Sequence, residues 1–262
     1  MRIKIPLVFT IFLFILCLES FPFSIKGVLN AESSEINNNL NLVFIFRNYQ
    51  SRKLKDNDLA IIRNQFKFTK PFDEFKGKIN FLKIDISKEE ESIVFKSHEE
   101  FPYISVHKSI FKELDSKLPG PYKLIMIDGL SRLSCAKFSS VKEMSLIIIG
   151  RNRYSSQKEF RSGFFHELGH SFGLRDERTS HCLECSAGPP NCAKTKKEAE
   201  ELWGDLAAVS QRVDYISGCC GNIDYFRPTI ASFMNDPDKA NDFGPVNERF
   251  LRKELKKLIG EP

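Results

Sequence analysis

The sequence predicts a single α/β domain built on a mixed, twisted β-sheet. Short apolar or alternating runs, typical of strands, are separated by longer segments that carry apolar residues at helical spacing. No segment of the chain repeats another. Strands interleaved with helices are typical of one sheet covered by helices, so the pattern favours one domain over two separate modules.

The individual elements follow from these runs in chain order. Strands are expected at residues 41–46, 79–86, 122–128 and 144–150, with a short edge strand within 132–139. Helices are expected at residues 56–68, 106–118, 156–174, 194–210 and 246–259. Asp56 is the expected N-cap of the first helix. After residue 178 the chain becomes rich in Cys, Pro and Gly, which predicts a loop-rich C-terminal part.

The N-terminus is typical of an export signal. Arg2 and Lys4 precede an uncharged apolar run at residues 5–18, which is shorter than the roughly 20 residues that span a bilayer. We therefore divide the chain into a signal peptide or N-terminal anchor, a polar spacer and a functional domain, at residues 1–24, 25–40 and 41–262. Cleavage would release the domain, and retention would anchor it in a membrane. In both cases we expect a secreted, periplasmic or cell-surface protein.

The charge distribution argues against a nucleic-acid partner. The chain has 39 Lys and Arg against 34 Asp and Glu, and the basic residues are scattered among the acidic ones. A nucleic-acid-binding protein instead concentrates its basic residues in a patch or stripe. We expect no nucleic-acid partner and a monomeric protein.

Six cysteines follow the N-terminal segment, and five of them lie between residues 182 and 220. They are Cys135, Cys182, Cys185, Cys192, Cys219 and Cys220. An even number in an exported protein favours disulfides, although the sequence does not choose the pairing. The alternative is a structural zinc site held by Cys182, Cys185 and two later thiolates, with or without His181.

The segment FFHELGHSFGLRDE, residues 164–177, predicts a metal site. On a helix over residues 156–174, His166 and His170 share one face. The opposite face carries the apolar residues Phe160, Phe164, Leu168 and Phe172. Two imidazoles one turn apart can bind one cation, which is the physical basis of the H-E-x-x-H zinc motif. Glu167, beside the first ligand, is the expected general base for an attacking water.

The residues after this helix predict a third ligand. Gly173, three residues after His170, permits the positive φ of a chain reversal. Asp176 follows three residues later, and the whole string H-E-x-x-H-x-x-G-x-x-D resembles the metzincin spacing with aspartate in the last place. The competing candidates, none of which explains Gly173, are Glu198, Glu200, Glu201, Asp205 and His181.

Beyond the motif, the chain resembles the IgA-peptidase family of zinc metallopeptidases, within the metzincin group. The strings HELGHSFGLRDE, LNLVFIFRNYQ and YFRPTIASFMNDP are similar to segments of that family, and the resemblance extends over residues 40 to 260. It implies a zincin-like fold with an active-site helix, and Zn²⁺ as the cofactor. It also implies that His166, His170 and Asp176 are the zinc ligands and that Glu167 is the catalytic base.

The same resemblance assigns Met234 to the methionine turn beneath the metal, where a thioether fills an irregular gap. A plain core position is the alternative for Met234. The short strand around residues 133–138 would be the edge that pairs with an extended substrate. The chain also departs from the family: FRNYQ replaces a GDGY-like turn, and no tyrosine follows Met234, although Tyr225 precedes it.

These observations predict an exported zinc endopeptidase that acts on a protein or peptide substrate. One alternative is a zinc hydrolase of cell-wall amides, and another is a non-catalytic surface-binding protein with a structural metal. Glu177, next to the expected third ligand, would either form a hydrogen bond to a ligating ring or face solvent.

Overall fold

The computed structural model describes residues 24–27, 39–85, 95–98, 101–106, 108–118, 120–132, 134–137, 146–179, 188–237 and 239–261. The strands are β1 (Ser24–Gly27), β2 (Leu40–Arg47), β3 (Ile79–Asp85), β4 (Phe95–His98), β5 (Phe101–Val106), β6 (Tyr122–Asp128), β7 (Cys135–Lys137), β8 (Leu146–Gly150), β9 (Ile216–Cys219) and β10 (Asn222–Arg227). The helices are α1 (Arg52–Phe66), α2 (Lys108–Lys117), α3 (Gln157–Ser171), α4 (Lys196–Ala207) and α5 (Pro245–Leu258).

The central sheet has six strands in the order β1-β3-β2-β6-β8-β7. Its four inner strands are parallel, because β2 pairs in parallel with β3 and β6, and β6 pairs in parallel with β8. The edge strands β1 and β7 are antiparallel to β3 and β8. The prediction of an α/β domain with a mixed sheet is therefore confirmed.

Both faces of the sheet are buried, and alternate residues of each inner strand belong to two different hydrophobic cores. In β2, Leu42 and Phe44 belong to the core beneath α1, α3 and α5. Val43 and Ile45 point the other way, into the core that α2 covers. This alternation follows from the two-residue period of a strand, and it explains why the run NLVFIF is apolar at consecutive positions.

The helices occur where the sequence predicts them, with shifted ends. α1 begins at Arg52 because the Ser51 side chain accepts a hydrogen bond from the backbone N–H of Leu54, so Ser51 is the N-cap. The expected cap, Asp56, instead accepts a hydrogen bond from Nζ of Lys83 at 2.9 Å. Val106 ends β5 and does not begin α2.

Three short features were not expected from the sequence. β4 and β5 form one antiparallel hairpin, and β9 and β10 form another. Ser24–Gly27 form the edge strand β1, within residues that the sequence assigns to the signal segment and the spacer. A four-residue strand is too short to show a hydrophobic period, so its pairing with β3 defines it.

Among the described residues, no helix has the length and apolar character needed to cross a membrane. The apolar run at residues 5–18 lies outside the described residues.

Candidate metal centre

Helix α3 places the two histidines and the glutamate. Its N-cap is Ser156, whose side chain accepts a hydrogen bond from the backbone N–H of Glu159. The rings of His166 and His170 lie on the same side of α3 with their centroids 4.6 Å apart, as expected for residues one turn apart. Glu167 lies beside them and is only 6% exposed.

The two imidazoles have a defined tautomer. Nδ1 of His166 lies 2.7 Å from the carbonyl oxygen of Phe233, and Nδ1 of His170 lies 2.9 Å from that of Leu174. A carbonyl oxygen can only accept a hydrogen bond, so each Nδ1 carries the proton and donates. In the neutral ring, Nε2 then has a bare lone pair, and the two Nε2 atoms are 3.1 Å apart.

Burial favours the neutral form of both rings. Burial is the main cause that lowers the pKa of His166 and of His170, and the charge of Arg178 lowers both further. Two bare lone pairs at 3.1 Å repel each other unless a cation binds them. The pair is therefore built to receive a cation.

The third ligand candidate reaches the same point after a chain reversal at Gly173, which has φ of 101°. Gly173 N–H donates to the carbonyl oxygen of His170 at 2.9 Å, which closes the last turn of α3. Asp176 then places Oδ2 4.0 Å from Nε2 of His166. One donor atom each from His166, His170 and Asp176 lies within 4.8 Å of the others.

This donor set fits zinc. Two neutral imidazole nitrogens and one carboxylate oxygen are ligands that Zn²⁺ prefers. Three protein ligands leave one coordination position for water or substrate, which distinguishes a catalytic site from a closed structural one. The bare Nε2 lone pairs supply the electrostatic reason for a cation here.

The aspartate is fixed by its neighbours. Its Oδ1 accepts the backbone N–H of Arg178 at 3.0 Å, and Nε of the same arginine lies 3.7 Å away. Its backbone carbonyl accepts the N–H of Cys220 at 2.9 Å. The β9–β10 hairpin therefore supports the loop that carries Asp176.

Burial has the largest effect on the pKa of Glu167. It raises the pKa of this carboxyl to about 8, with a smaller contribution from Asp176, while the charges of Arg153 and Arg178 act in the opposite direction. A carboxyl with raised proton affinity accepts a proton readily from a reacting water, which suits a general base.

Glu177 occupies neither of the two positions expected for it. It is fully buried, and its carboxylate accepts hydrogen bonds from three side chains, at 2.6 to 2.9 Å: Ser232 Oγ, Asn191 Nδ2 and Asn247 Nδ2. The rings of His166 and His170 bond to backbone carbonyls instead. Burial raises the pKa of Glu177 against the opposing effect of these hydrogen bonds. Through these three hydrogen bonds, the Glu177 carboxyl connects the loop after α3 to three later segments of the chain.

Met234 lies against helix α3 and is fully buried. A Cβ added at Gly169 would meet its Sδ at 2.5 Å, so the sulfur packs directly on the helix between the two histidines. The carbonyl oxygen of Met234 accepts the N–H of Glu177 at 2.9 Å. The structure thus places this methionine next to the helix turn that carries the metal ligands.

The competing candidates on α4 do not join this cluster. Asp205 forms an ion pair with Arg249, with Oδ2 and Nη1 2.6 Å apart. Among the described residues, the acids of α4 belong to no cluster with metal-binding spacing. Tyr225 packs against the cluster of Cys192, Cys219 and Cys220. His181, Cys182 and Cys185 lie outside the described residues.

The later cysteines form disulfides. Cys192 is bonded to Cys219, and Cys220 is also disulfide-bonded. These three sulfur atoms are close enough to suggest a metal cluster, but a disulfide leaves no thiolate to bind a metal. Cys135, on β7, is a free thiol whose pKa burial raises to about 11.

The candidate metal centre opens into a cleft of about 1540 Å³. The lining includes the edge strand β7 and Tyr154, whose hydroxyl donates to Oγ of Ser134 at 3.0 Å. It also includes the loop at Pro189 and Pro190 and helix α5. Sequence reasoning missed Tyr154, because no motif marks a residue that joins the cleft only through tertiary contacts.

No model of a known protein family matches the chain, and no curated protein sequence is similar to it. Among solved structures, the chain is similar to the crystal structure of archaemetzincin from Methanopyrus kandleri, with a TM-score of 0.39 and 12% sequence identity. The likeness covers 84% of this chain and 97% of the archaemetzincin chain. A likeness at this TM-score is too distant to transfer an activity, so a functional conclusion has to rest on the geometry of the site.

Proposed function

We propose that this protein is a zinc-dependent metallopeptidase. One observation carries the proposal: two neutral imidazoles turn bare Nε2 lone pairs toward each other at 3.1 Å, with the Asp176 carboxylate in reach. A buried carboxyl, Glu167, lies next to them in an open cleft. A structural metal site would need neither the cleft nor this carboxyl.

His166, His170 and Asp176 would hold Zn²⁺. When bound, the ion supplies Lewis acidity, which polarises a substrate carbonyl and lowers the pKa of water. The protein contributes the orientation of the ligands, because the carbonyl oxygens of Phe233 and Leu174 fix both rings through Nδ1.

Glu167 transfers a proton from the attacking water to the leaving amine. Its carboxylate takes a proton from the attacking water and then delivers it to the nitrogen of the leaving amine. The burial that raises the pKa of Glu167 to about 8 favours the first transfer. The opposing charges of Arg153 and Arg178 keep the proton from being held too tightly for the second.

The edge strand β7 would bind the peptide. β7 pairs with β8 on one side and ends the sheet on the other, and Ser134, Cys135 and Ala136 line the cleft. An extended substrate can add to such an edge through main-chain hydrogen bonds, whatever its side chains. This arrangement favours a peptide over a cell-wall amide, because a polysaccharide-linked amide offers no extended strand.

We propose further that the domain at residues 41–262 is a distant member of the IgA-peptidase family and works after export. The motif ending in Asp176 and the placement of Met234 support the first statement. The disulfide-bonded Cys192, Cys219 and Cys220 support the second, because disulfides persist in oxidising compartments.

The proposal is tested by comparing the zinc-loaded protein with its Glu167→Gln variant on denatured casein. The variant keeps the shape of the side chain but cannot accept a proton, so we expect it to retain zinc and to lose activity by at least about 100-fold. Activity should also disappear with a chelator and return with added zinc.

A second variant tests the ligand set independently of activity. Asp176→Ala should lower zinc affinity by at least about 100-fold, measured as metal content after dialysis against a competing chelator. Full activity of Glu167→Gln would contradict the mechanism, and unchanged zinc affinity of Asp176→Ala would contradict the ligand assignment. Zinc retention without casein cleavage would favour the cell-wall or surface-binding alternatives.

A further inference from the structure

The walls of the cleft carry an excess of cationic side chains. Six of them line it: Arg153, Arg175, Arg178, Arg249, Lys253 and Lys257. Apart from Glu167 and Asp176 of the metal centre, the acidic residues of the lining are Glu159, Asp236 and Glu254. Such an imbalance creates a positive potential that a cleft concentrates.

Several of these charges are already paired. Arg249 binds Asp205 at 2.6 Å, and Asp236 binds Lys239 at 2.9 Å. Lys257 lies 3.9 Å from Glu254, and Arg178 lies 3.7 Å from Asp176. These pairs neutralise one part of the lining.

Three of the six cations that line the cleft remain without an ion pair to any described residue. Within the part of the chain that the structure describes, Arg153, Arg175 and Lys253 have no acidic partner. Glu159, the acid left over, is occupied by Ser155, whose backbone N–H and hydroxyl both donate to its carboxylate. Outside the metal centre, the described part of the lining therefore has three cations without an acidic partner against one acid, Glu159, without a basic one.

Arg175 is the best-positioned of these cations. It directly precedes Asp176, and the Asn191 side chain holds its backbone at both polar atoms: Arg175 N–H donates to Oδ1 at 2.9 Å, and Nδ2 donates to Arg175 O at 3.0 Å. Its Nε is buried and has no hydrogen-bond partner. A buried guanidinium N–H without an acceptor is costly, and the residue that carries it lines the cleft.

Arg153 lies on the side of the cleft that borders β7. It precedes Tyr154, whose hydroxyl contacts Ser134 just before that strand, and its charge acts on Glu167. Arg175 lies beyond the end of α3, on the side held by Asn191. Both unpaired arginines thus line the cleft, and their charges act on residues of the candidate metal centre, that of Arg153 on Glu167 and that of Arg175 on His170.

We propose that the cleft selects peptides that carry carboxylates close to the scissile bond, and that Arg175 and Arg153 determine this specificity. This inference rests on the proposed peptidase function. Arginine suits the role because its planar guanidinium binds a carboxylate through two hydrogen bonds. The carboxylate comes either from an Asp or Glu side chain or from the C-terminus of the peptide.

The test uses the zinc-loaded full chain and internally quenched peptides of one scaffold. Glu, Gln or Lys is placed at each of the positions flanking the scissile bond, and every peptide is made with an amidated and with a free C-terminus. We expect kcat/KM about tenfold higher for Glu than for Gln peptides, lower values for Lys peptides, and a smaller difference at high salt.

Variants assign the preference to residues. Arg175→Gln and Arg153→Gln should each reduce the Glu-over-Gln ratio, whereas Arg175→Lys should keep part of it because the charge remains. Arg63→Gln, on α1 and outside the cleft lining, should keep the full ratio. Melting temperatures of all variants separate a loss of preference from a loss of fold.

The outcomes separate the two proposals. Equal cleavage of Glu, Gln and Lys peptides would overturn the charge preference while leaving the peptidase function intact. If no peptide is cleaved, the peptidase function fails, and fluorescence anisotropy with Glu167→Gln then decides the charge preference from binding alone. Tighter binding of Glu than of Lys peptides supports the preference, and equal binding overturns it. A preference seen only with free C-termini identifies the terminal carboxylate as the source.

Discussion

At Gly169, helix α3 lacks a side chain where the sulfur of Met234 packs. An added Cβ would lie 2.5 Å from that sulfur and 3.0 Å from Cε1 of Phe243, and both of these residues are fully buried. We predict that Gly169→Ala lowers the free energy of unfolding by about 1–3 kcal/mol, although alanine favours helices more than glycine does. Urea denaturation measures the change.

Gly77 provides the matched control. A Cβ there would meet nothing within 4 Å, so Gly77→Ala should change the free energy of unfolding by less than about 0.5 kcal/mol. Equal losses in the two variants would show that the contact with Met234 does not cause the effect.

The proximity of His166, His170 and Asp176 could be predicted from the sequence because local geometry fixes it. Two histidines one helical turn apart share a face whatever else the chain does, and Gly173 allows the turn that brings Asp176 back. The partners of Glu177 were not accessible. Asn191 and Asn247 reach it from distant parts of the chain, and no spacing rule predicts such contacts.

Among the elements, α3 ends over a buried lysine of the central sheet. Lys123, on β6, donates from Nζ to the carbonyl oxygen of Ser171 at 2.6 Å and lies 4.5 Å from the ring centre of Phe172. The last carbonyls of a helix have no partner within it, and a cation there also complements the helix dipole. Lys123 therefore secures the end of α3 from which the chain turns at Gly173.

Burial lowers the pKa of Lys123 from 10.5 to about 8. Between these two values the unfolded chain still holds the proton that the folded chain has released, so this group makes the protein more stable as the pH rises through that window. Below pH 8 both states hold the proton, and the cost of burying the charge is fully present. We predict that the free energy of unfolding of the parent, relative to Lys123→Met, increases from pH 8 to pH 10.

The difference between parent and variant isolates this effect, because other groups that titrate in the same range are common to both chains. Chemical denaturation at a series of pH values gives the two curves. Parallel curves across that window would mean that the buried amine keeps its proton in the folded state.

Strands and helices were predicted correctly where their hydrophobic pattern extends over many residues. The inner strands β2, β3, β6 and β8 and all five helices were expected, because burial on two faces or at helical spacing marks them over many residues. The predicted helix ends were less accurate. Ser51 caps α1, and Asp56, five positions later, has the same N-cap preference. The β9–β10 hairpin was missed because its pairing is irregular and few of its strand residues are buried.

At the scale of the whole molecule, a disulfide joins the loop before α4 to the β9–β10 hairpin. Cys192 and Cys219 are separated by 27 residues, and closing a loop of this size restricts the unfolded chain by about 3 kcal/mol. We predict that the Cys192→Ala/Cys219→Ala variant loses about this much stability in urea denaturation. Cys135→Ala, which removes a free thiol, should lose less than half as much.

The same disulfide checks the proposed export. Alkylation of the intact protein from fractionated cells, followed by mass spectrometry, should recover Cys192 and Cys219 linked and in the exported fraction. Alkylated Cys192 in a cytoplasmic fraction would contradict export, and a double variant as stable as the parent would contradict the structural role of the bond.

The buried carboxyl of Glu177 also has a consequence for how the protein is made. Its donors Ser232 and Asn247, and the Phe233 carbonyl that fixes the tautomer of His166, lie far downstream of α3. A nascent chain that has only reached Asp176 carries every expected ligand and the Leu174 carbonyl that orients His170, but it lacks the Phe233 carbonyl and the donors to Glu177. The complete centre therefore assembles only after translation has passed Asn247.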